Sequence, residues 1–571
     1  MTIQARRAVL RDARSKEGGY VAVMTAILLV VLMGLAAFAV DVGNWYLVGQ
    51  QEQRAADAAV MAGVTYLPSD SSSASTMAQK FAKINGFQNG VNATTVTAGQ
   101  DGRPTRLRVT VNRTVSNLFG SLLGVPSTTI GRTAVADFAG PVPMGSPCNR
   151  FGNNPDPGTT EATTCLGVLG EFWANVNSPK SNKQNGDAYQ GNVCSSSVDG
   201  CSGSSSGPNI DYATDGYFYT ISVKAAMSSL TIELFDPVWV NTGLTCDTNF
   251  GSGTTEGIDA VNNVVSEPTA RYKPNTTSPV FYSPYCTGDG LFSGTQAMNT
   301  QFTVRDPSTT PWDTSTFPVH ATCQKTYPGY SGSLFNVLDQ YTSGTTPRST
   351  YNKDSTGTVG PQTIVNGFRR WTTLCTIANP VVGDYLVQVK TNGLGTSFDN
   401  ADASNHFGIR AFGPASGDKE SISVFGREKM GIYSNKPSVV TEFHLARVPS
   451  SAAGQFLKVR LFDVGDSTQA GTIKILSPPD AAGGAFTGCV GVLSTNAAVN
   501  LTNCSLTVQT STHNGRWQSV SVPIPSNYTC TDADTTKCWV RLQYDYGSGS
   551  APTDVTAWTA SIEGDPVRLV E

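Results

Sequence analysis

The residues best suited to catalysis are few and far apart in this sequence. Histidine titrates near neutral pH and is the commonest general base and metal ligand. The 571 residues include four histidines, His320, His406, His444 and His513. No cysteine or serine nucleophile is placed beside any of them, and their spacing is not that of a metal-binding pair. We therefore expect structural histidines, and we predict no catalytic residue, no metal ligand and no cofactor.

One serine has the sequence context of a hydrolase nucleophile. Residues 203–207 read G-S-S-S-G, which matches the pattern G-x-S-x-G. That motif works at a strained turn between a buried strand and a helix. Here it lies in a serine-rich run that ends at Pro208, with no apolar strand before it. We interpret this segment as a linker.

Two acidic loops could bind calcium. Calcium takes six to eight oxygen ligands, and neither loop has a spacing that defines such a site. Ordinary turns, in which Asp and Asn side chains bond to nearby backbone, are the expected structure. The residues concerned are Asp463 with Asp466, and Asp399, Asn400, Asp402 and Asn405.

Three tryptophans could provide a binding surface of another kind. Trp517, Trp539 and Trp558 would form a sugar-stacking platform if they were exposed, with surface glycans as the partner. Buried indole rings also stabilise β-sandwich cores. Both interpretations stay open at this point.

Composition restricts the classes of protein that remain. The length predicts about three to four domains, and a net charge of −4 with 14% charged residues gives no basic surface for nucleic acid. The many Gly, Ser and Thr residues are typical of β-rich extracellular modules.

The longest apolar run lies near the N-terminus. Residues 20–40 are twenty-one residues without a charge, and as a helix they would span about 31 Å. The hydrocarbon core of a bilayer is about 30 Å thick. No proline occurs before Pro68, and the segment after Asp41 is rich in alanine. We predict one long helix that crosses a membrane and continues as a stem.

Charge and cysteine positions predict an orientation. Residues 1–19 carry five basic and two acidic residues, and basic residues mark the cytoplasmic side of a span. All twelve cysteines follow the span, as expected of disulfides in an oxidising compartment. We therefore expect a single-pass cell-membrane protein with a cytoplasmic N-terminus. The predicted disulfide is Cys530–Cys538, and Cys148–Cys165, Cys194–Cys201 and Cys489–Cys504 are further candidates.

The helix also carries a family signature. Its G-G-Y-V-A-V start, the segment V-D-V-G-N-W-Y-L-V and the run Q-R-A-A-D-A-A-V-M-A-G resemble the TadE/TadG-like (Flp pilus assembly) family over residues 18–139. The resemblance implies a pilin-like α+β region, with pilus-assembly or envelope proteins as partners. The signature residues are Gly18, Gly19, Val21, Ala22, Val23, Asp41, Gly43, Ala55, Ala56, Asp57, Ala58, Ala59, Ala62 and Gly63.

One position departs from the pilins of that family. They need a glutamate at the fifth position after the cleaved glycine, and counting from Gly19 that position is Met24. We therefore expect a retained anchor. Cleavage as a signal peptide after Ala37-Phe38-Ala39 is the alternative, although the apolar run exceeds the usual signal core of about 7–15 residues.

Some relatives carry a von Willebrand A domain, whose D-x-S-x-S loop binds a metal ion. Residues 306–310 (D-P-S-T-T) come nearest, but the segment 301–305 before them alternates and is not a buried parallel strand. Residues 70–72 (D-S-S) lack the final serine. We expect this domain to be absent.

The stem should carry a small head. Residues 75–85 read as an amphipathic helix that Gly86 ends. Strand patterns follow at 94–98, 106–114 and 128–138. The apolar segment 117–125 should lie against the stem or the bilayer surface.

The rest of the chain predicts β-sandwiches. Segment 140–210 is polar and irregular, with four cysteines. Beyond it, L-T-I-E-L-F-D (230–236) and L-K-V-R-L-F-D (457–463) form an internal repeat. Each copy is expected to close with two paired strands, 385–390 with 406–412 in the first copy and 538–544 with 558–563 in the second.

These observations predict an architecture and a function. The fold class is a membrane-anchored α+β pilin-like region followed by mainly-β tandem sandwich or jelly-roll domains. The function is a non-enzymatic interaction or adhesion component of pilus assembly at the cell surface. The alternative is a membrane-tethered carbohydrate-binding or hydrolytic protein. The segments are a tail (1–19), a span (20–40), a stem and head (41–139), an insertion (140–210), one sandwich (211–415, with its own insertion at about 240–375) and a second sandwich (416–571).

Overall fold

The structure is a computed structural model, in which the chain forms two compact units. The first unit is Met1–Gly140 with Gly564–Glu571, and the second is Pro141–Glu563. The structure describes residues 4–67, 71–101, 106–138, 142–153, 172–195, 197–201, 208–244, 285–308, 311, 313–331, 362–391, 401–434, 440–547, 552–562 and 567–569. The boundaries predicted above for the six segments stay predictions.

The described elements are four α-helices and twenty-six strands. The helices are α1 Gln4–Val64, α2 Ser71–Ile84, α3 Gln362–Gly367 and α4 Thr510–His513. The strands are β1 Thr94–Gln100, β2 Arg106–Ser116, β3 Ser127–Phe138, β4 Met144–Gly145, β5 Arg150–Phe151, β6 Trp173–Asn177, β7 Tyr217–Val223, β8 Ser229–Phe235, β9 Gly290–Ser293, β10 Thr300–Arg305, β11 Val319–Tyr327, β12 Trp371–Ala378, β13 Gly383–Lys390, β14 Asp402–Phe412, β15 Ile422–Gly426, β16 Met430–Ser434, β17 Val440–Arg447, β18 Phe456–Phe462, β19 Gly471–Leu476, β20 Val490–Leu493, β21 Val499–Asn500, β22 Ser505–Val508, β23 Trp517–Pro523, β24 Trp539–Asp545, β25 Asp554–Ile562 and β26 Val567–Leu569.

Helix α1 is continuous over 61 residues, which confirms the predicted long helix. Its side chains from Tyr20 to Val40 are nearly all exposed, so the described part of the chain leaves most of this apolar stretch uncovered. Among the described helices, α1 is the one long and apolar enough to cross a membrane. Residues 50–62 of the part beyond Asp41 are rich in alanine and straight-chain residues, which favour helix.

The rest of the first unit packs against the far end of α1. Helix α2 lies beside it, and Gly86 follows α2 at a φ of 91°, a left-handed conformation that glycine adopts without strain. Four antiparallel strands form one sheet in the order β1-β2-β3-β26. The core between helices and sheet consists of small and branched side chains, among them Ala55, Ala59, Ala78, Val109 and Val111.

The second unit consists of two large antiparallel sheets. One has the order β11-β10-β13-β7-β15-β4-β17-β24-β19-β22. The other has the order β12-β8-β14-β6-β16-β25-β18-β23-β20-β21, with β5 and β9 paired to β14. Aromatic rings cross from sheet to sheet: Phe302 contacts Phe407 at 5.0 Å and Phe443 contacts Trp558 at 5.8 Å between ring centroids. The predicted fold class, an α+β region followed by β-sandwiches, is confirmed.

The strand order repeats about the middle of each sheet. Counting outward from the centre, β15, β7, β13, β10 and β11 correspond to β4, β17, β24, β19 and β22. In the other sheet, β6, β14, β8 and β12 correspond to β16, β25, β18 and β23. Strands β8 and β18 carry the two L-F-D sequences, so the internal repeat is structural.

Two expectations about this unit are wrong. Strand β13 pairs with β7 and β10 in one sheet, while β14 pairs with β8 and β6 in the other. The strands that should close each copy therefore face each other across the core. Residues 144–177, expected to be irregular, contribute β4 and β6, which join the two halves of each sheet.

Four disulfides lie within the described residues. Cys530–Cys538 confirms the main prediction, and Cys194–Cys201 and Cys489–Cys504 confirm two further ones. Cys323–Cys375 was not predicted, and it joins β11 and β12, the edge strands of opposite sheets. Cys148 is also disulfide-bonded, but Cys165 lies outside the described residues, so that pairing stays a prediction.

Candidate functional site

The strongest candidate site lies where α1 leaves the apolar stretch. Asp41 is buried, and its carboxylate accepts hydrogen bonds from three consecutive backbone N–H groups. Oδ1 accepts from Leu118 at 2.8 Å, and Oδ2 accepts from Phe119 at 3.1 Å and from Gly120 at 2.7 Å. Charge-assisted bonds of this kind are about twice as strong as neutral ones. Asp41 therefore fixes the loop 117–126, which connects β2 to β3, to the helix.

A second contact holds the same loop. The indole N–H of Trp45 donates to the side-chain oxygen of Asn117 at 2.8 Å. The amide nitrogen of Asn117 in turn donates to the Val125 carbonyl at 2.9 Å and to the Thr128 hydroxyl at 3.0 Å. Since Asp41 and Trp45 lie one helical turn apart, both act on one face of α1.

The loop itself is apolar and exposed. Leu118, Phe119, Leu122 and Val125 are 63%, 40%, 82% and 51% exposed. Its tip is a short 3-10 turn, residues 120–123, closed by Gly124 at a φ of 83°. Two backbone bonds close the loop, from the Asn117 N–H to the Pro126 carbonyl and from the Val125 N–H to the Gly120 carbonyl. Of the two predicted positions for this segment, against the stem or against the bilayer surface, the structure shows the contact with the stem.

The small residues of the stem allow α2 to approach α1 closely. Ala55, Ala59 and Ala78 are fully buried. At Gly63 a Cβ atom would lie 2.6 Å from the Ala74 carbonyl and 2.7 Å from Leu107, so no larger residue fits there. The family position Asp57 is half-buried, and it accepts a bond from Gln53 at 2.8 Å.

Glu52 is a second buried ionisable residue of the stem, besides Asp41. Glu52 lies at 0% exposure. Burial raises the pKa of its carboxyl to about 7, against the opposing charges of Arg132 and Arg113. This carboxyl is therefore partly protonated near neutral pH.

In the second unit, carboxylates lie at equivalent ends of the repeated strands. Asp236 and Asp463 are buried at a φ of 50° and 61°. Asp236 accepts from the Arg369 N–H at 2.8 Å, and Asp463 accepts from the Gly515 N–H at 2.6 Å. Both bonds join strands far apart in sequence, so the expected local Asx turn is wrong for Asp463.

Further carboxylates surround these two. Burial raises the pKa of three of these carboxyls, those of Asp289, Asp463 and Asp554. Burial and the charge of Asp554 together raise the pKa of Asp466 to about 7. Asp289 and Asp554 accept backbone N–H groups, from His406 at 2.8 Å and from Gly465 at 3.3 Å. These carboxyls are internal hydrogen-bond acceptors that hold the connections between strands.

Sequence reasoning missed a second repeated element. An Arg-Trp pair follows each of the two aspartates, Arg370-Trp371 in the first copy and Arg516-Trp517 in the second. The Arg370 carbonyl accepts the Asp236 N–H at 3.1 Å, and the Arg516 carbonyl accepts the Asp463 N–H at 3.0 Å. An arginine covers each ring at 4.2 Å, Arg410 over Trp371 and Arg460 over Trp517. Aligning the two L-F-D strands and searching downstream for a shared R-W pair would have found it.

The four histidines lie in separate surroundings. His406 is fully buried and stacks on Tyr433 at 4.0 Å, and His444 packs edge-on against Trp539. Burial lowers the pKa of both to about 3, so both are neutral at physiological pH. His513 is buried and bonds to Gln509, and His320 pairs with Asp306 at 2.7 Å.

The other candidate residues lie either outside the described residues or in separate hydrogen bonds. The G-S-S-S-G segment, the D-S-S motif at Asp70, and Asp399 and Asn400 lie outside the described residues. Asp402 accepts from Ser293 at 2.5 Å, and Asn405 donates to Thr300 at 2.7 Å.

The three tryptophans form no exposed platform. Trp517, Trp539 and Trp558 are 6%, 3% and 1% exposed. Trp539 donates its indole N–H to Thr535 at 2.9 Å, and Trp558 lies in the sandwich core. The stacking interpretation is therefore wrong for these residues.

Comparison with known proteins finds a family match within the first unit. Residues 19–66 match the model of the family described as "Putative Flp pilus-assembly TadE/G-like". A search of curated proteins found no match.

Solved structures resemble the chain weakly. A tandem CBM22-1–CBM22-2 domain of Xyn10C from Paenibacillus barcinonensis is 11% identical, with a TM-score of 0.12, and the alignment covers 48% of this chain and 76% of that one. The structure of the infectious bursal disease virus Gx strain is 11% identical, with a TM-score of 0.07, and the alignment covers 75% of this chain and 80% of that one. Such scores carry no argument about fold or function. The resemblance to TadE/TadG-like proteins is confirmed over residues 19–66, and through that region, with its apolar helix, this chain is related to Flp pilus assembly and to membrane anchoring.

Proposed function

We propose that this protein is a membrane-anchored, non-enzymatic component of a Flp-type pilus-assembly apparatus. In this proposal residues 1–19 lie in the cytoplasm, and both units beyond Asp41 lie outside. The observation that carries it is the family match at 19–66, which coincides with the helix whose Asp41 holds loop 117–126. The anchor, the stem and the head then form one mechanical element, since Asp41 bonds the apolar helix to the loop between β2 and β3.

The second unit would act as a platform for other envelope or pilus proteins. Its buried carboxylates Asp289 and Asp463 accept backbone N–H groups, and His406 and His444 are buried and neutral, which suits a scaffold better than a reaction site. Binding residues commonly lie on the loops of such rigid scaffolds. Met24 in place of the pilin glutamate favours an accessory subunit that stays in the membrane over a subunit of the fibre.

A gene deletion tests the proposal. We expect deletion to reduce surface pili and attachment, and the full-length gene to restore both. Unchanged pili and attachment, together with loss of a hydrolytic activity from the cell surface, would support the tethered-hydrolase alternative instead. A reporter fused after Glu571 tests the orientation, because activity confined to the cytoplasm would contradict an external second unit.

A further inference from the structure

The face of α1 that carries Asp41 borders a cavity of about 250 Å³. The helix lines it with Gly34, Ala37, Phe38, Asp41 and Trp45, and loop 117–126 forms the opposite wall. These helix residues recur at i, i+3, i+4, i+7 and i+11, so they form one continuous stripe. The cavity is therefore built by a helix and a loop of the same unit.

Its depth indicates its surroundings. Gly34 lies six residues before Val40, the end of the apolar span, which is about 9 Å along a helix. The lower part of the cavity is therefore at the level of bilayer hydrocarbon if α1 crosses a membrane. The upper part, at Trp45, is at the interface, where tryptophan is enriched.

Its chemistry excludes a polar ligand. The Asp41 carboxylate bonds to three backbone N–H groups, and the Trp45 N–H bonds to Asn117. The polar atoms that approach the cavity are thus already paired within the protein. What remains on the walls is hydrocarbon and aromatic surface.

Its size excludes a partner helix. A helix with its side chains is about 10–12 Å across, and a 250 Å³ cavity cannot hold one turn of it. A single acyl chain is narrower and flexible. It would also be present at this depth without any partner protein.

We propose that this cavity binds one acyl chain of a membrane phospholipid, from the leaflet at the Val40 end of the span. Leu118, Phe119, Leu122 and Val125, the exposed apolar side chains of loop 117–126, insert into that same leaflet beside it. Asp41 then has two roles. It connects the head to the stem, and it holds loop 117–126 at the depth where Leu118 and Leu122 contact lipid. The proposal depends on membrane anchoring but not on a role in pili.

Two helical glycines allow a matched test of the cavity. A Cβ at Gly34 or at Gly43 meets nothing within 4 Å, so both accept a larger residue. Gly34 lines the cavity and Gly43 does not. Full-length protein is purified in mild detergent from vesicles of phosphatidylcholine and phosphatidylglycerol, and retained phospholipid is counted by native mass spectrometry. We expect wild type and Gly43→Phe to retain one phospholipid per chain and Gly34→Phe to lose it.

A nitroxide label tests separately whether the loop lies in the bilayer. Leu122→Cys and Ile84→Cys each replace an exposed apolar residue of the first unit, and both are labelled in reconstituted vesicles. We expect the label at 122 to collide with oxygen and to be shielded from a water-soluble nickel complex, and the label at 84 to show the reverse. The proposal is overturned if the nickel complex reaches both labels equally.

It is also overturned if wild type retains no phospholipid, or if Gly34→Phe retains as much as Gly43→Phe. Dipolar coupling between two copies labelled at 122, without retained lipid, would also overturn it, because the loop would then lie at an interface between copies. Neither measurement involves pili, so a failed proposal here is distinguishable from a failed assembly role.

Discussion

Each of the two units is stabilised internally by a different kind of packing. In the first, alanine and glycine residues of α1 and α2 let two helices approach closely, and no cysteine is available to cross-link them. In the second, large rings such as Tyr219, Phe407 and Trp558 fill the space between two sheets, and the disulfide Cys323–Cys375 joins edge strands of opposite sheets.

This difference is informative about function. Close packing of small residues tolerates little change in shape, and it transmits a displacement of the helix to the sheet it carries. A broad aromatic core with cross-links resists unfolding while leaving its loops free to vary. The first unit is therefore suited to position the protein in the membrane, and the second to present surface.

The largest expected effect is the loss of the disulfide between the sheets. Cys323–Cys375 closes 52 residues and Cys530–Cys538 closes 8. In the chain-entropy model, replacing the first pair by serine costs about 4 kcal/mol of unfolding free energy and replacing the second about 2.5 kcal/mol. Urea unfolding followed by tryptophan fluorescence measures this, because of the eight tryptophans all but Trp45 lie in the second unit. Equal losses for the two pairs would contradict the model.

The next effect concerns the first unit alone. Gly63→Leu would force a side chain against Ala74 and Leu107, and overpacking of this kind costs about 3 kcal/mol. We expect faster hydrogen exchange throughout α2, with no change in the second unit. Gly43→Leu is the control, since a Cβ there meets nothing within 4 Å. If the amides of α2 exchange at the same rate in both leucine variants, α1 and α2 do not approach each other closely at Gly63.

A smaller effect depends on pH. Because burial raises the pKa of Glu52 to about 7, the folded state holds this proton more tightly than the unfolded state. The stability that protonation supplies is complete below the unfolded pKa of 4.5 and is lost as pH rises to about 7. Glu52→Gln should therefore gain stability over wild type through this range, on the order of 1–3 kcal/mol.

Asp466→Asn provides the counterpart in the second unit. Wild type loses stability as pH rises from about 3.8 to about 7, because Asp466 gives up its proton within the folded protein. The unfolding free energy of Asp466→Asn should therefore exceed that of wild type by an amount that grows over this range. Hydrogen exchange as a function of pH separates the two, since each variant should alter its own unit. A Glu52→Gln advantage that shrinks as pH rises would contradict the assigned pKa.

The smallest effect is expected at the other acidic family position. Asp57 is half-buried, and Gln53 bonds to its carboxylate one turn earlier in α1. Asp57→Ala should change the stability of the first unit by less than about 0.5 kcal/mol, as is usual for such positions. Hydrogen exchange of the amides in residues 55–64 checks this. A loss of several-fold protection would show that Asp57 has a structural partner.

Local patterns predicted much of the fold. Helix α2 and strands β1–β3 follow from apolar periodicity within a few residues of their observed ends. Helix α1 was predicted as a continuous helix, but it begins at Gln4, within the segment predicted as a tail. The three confirmed disulfides close short segments, which neighbouring positions suggest. Cys323–Cys375 could not be predicted, because the pairing depends on which strands form the edges of two sheets.

Long-range contacts account for the rest. The segment 172–192 looks irregular because it is rich in Asn, Ser and Gly, yet Asn175, Asn177 and Asp187 are buried. Asp187 satisfies the Asn177 N–H and the Tyr217 hydroxyl at 2.9 and 2.6 Å, and such compensation is invisible in composition. The family resemblance singled out Asp41, but its three backbone contacts emerged only in the folded structure.

The most direct test of the central claim compares Asp41 with Asp57 in cells. The chromosomal gene is replaced by Asp41→Ala or Asp57→Ala, chain levels are matched by immunoblot, and surface pili are counted. Since Asp41 joins the membrane helix to loop 117–126 and Asp57 bonds to its own helix, we expect Asp41→Ala to lose pili and Asp57→Ala to keep them. Normal pili with Asp41→Ala at matched chain levels would contradict the account.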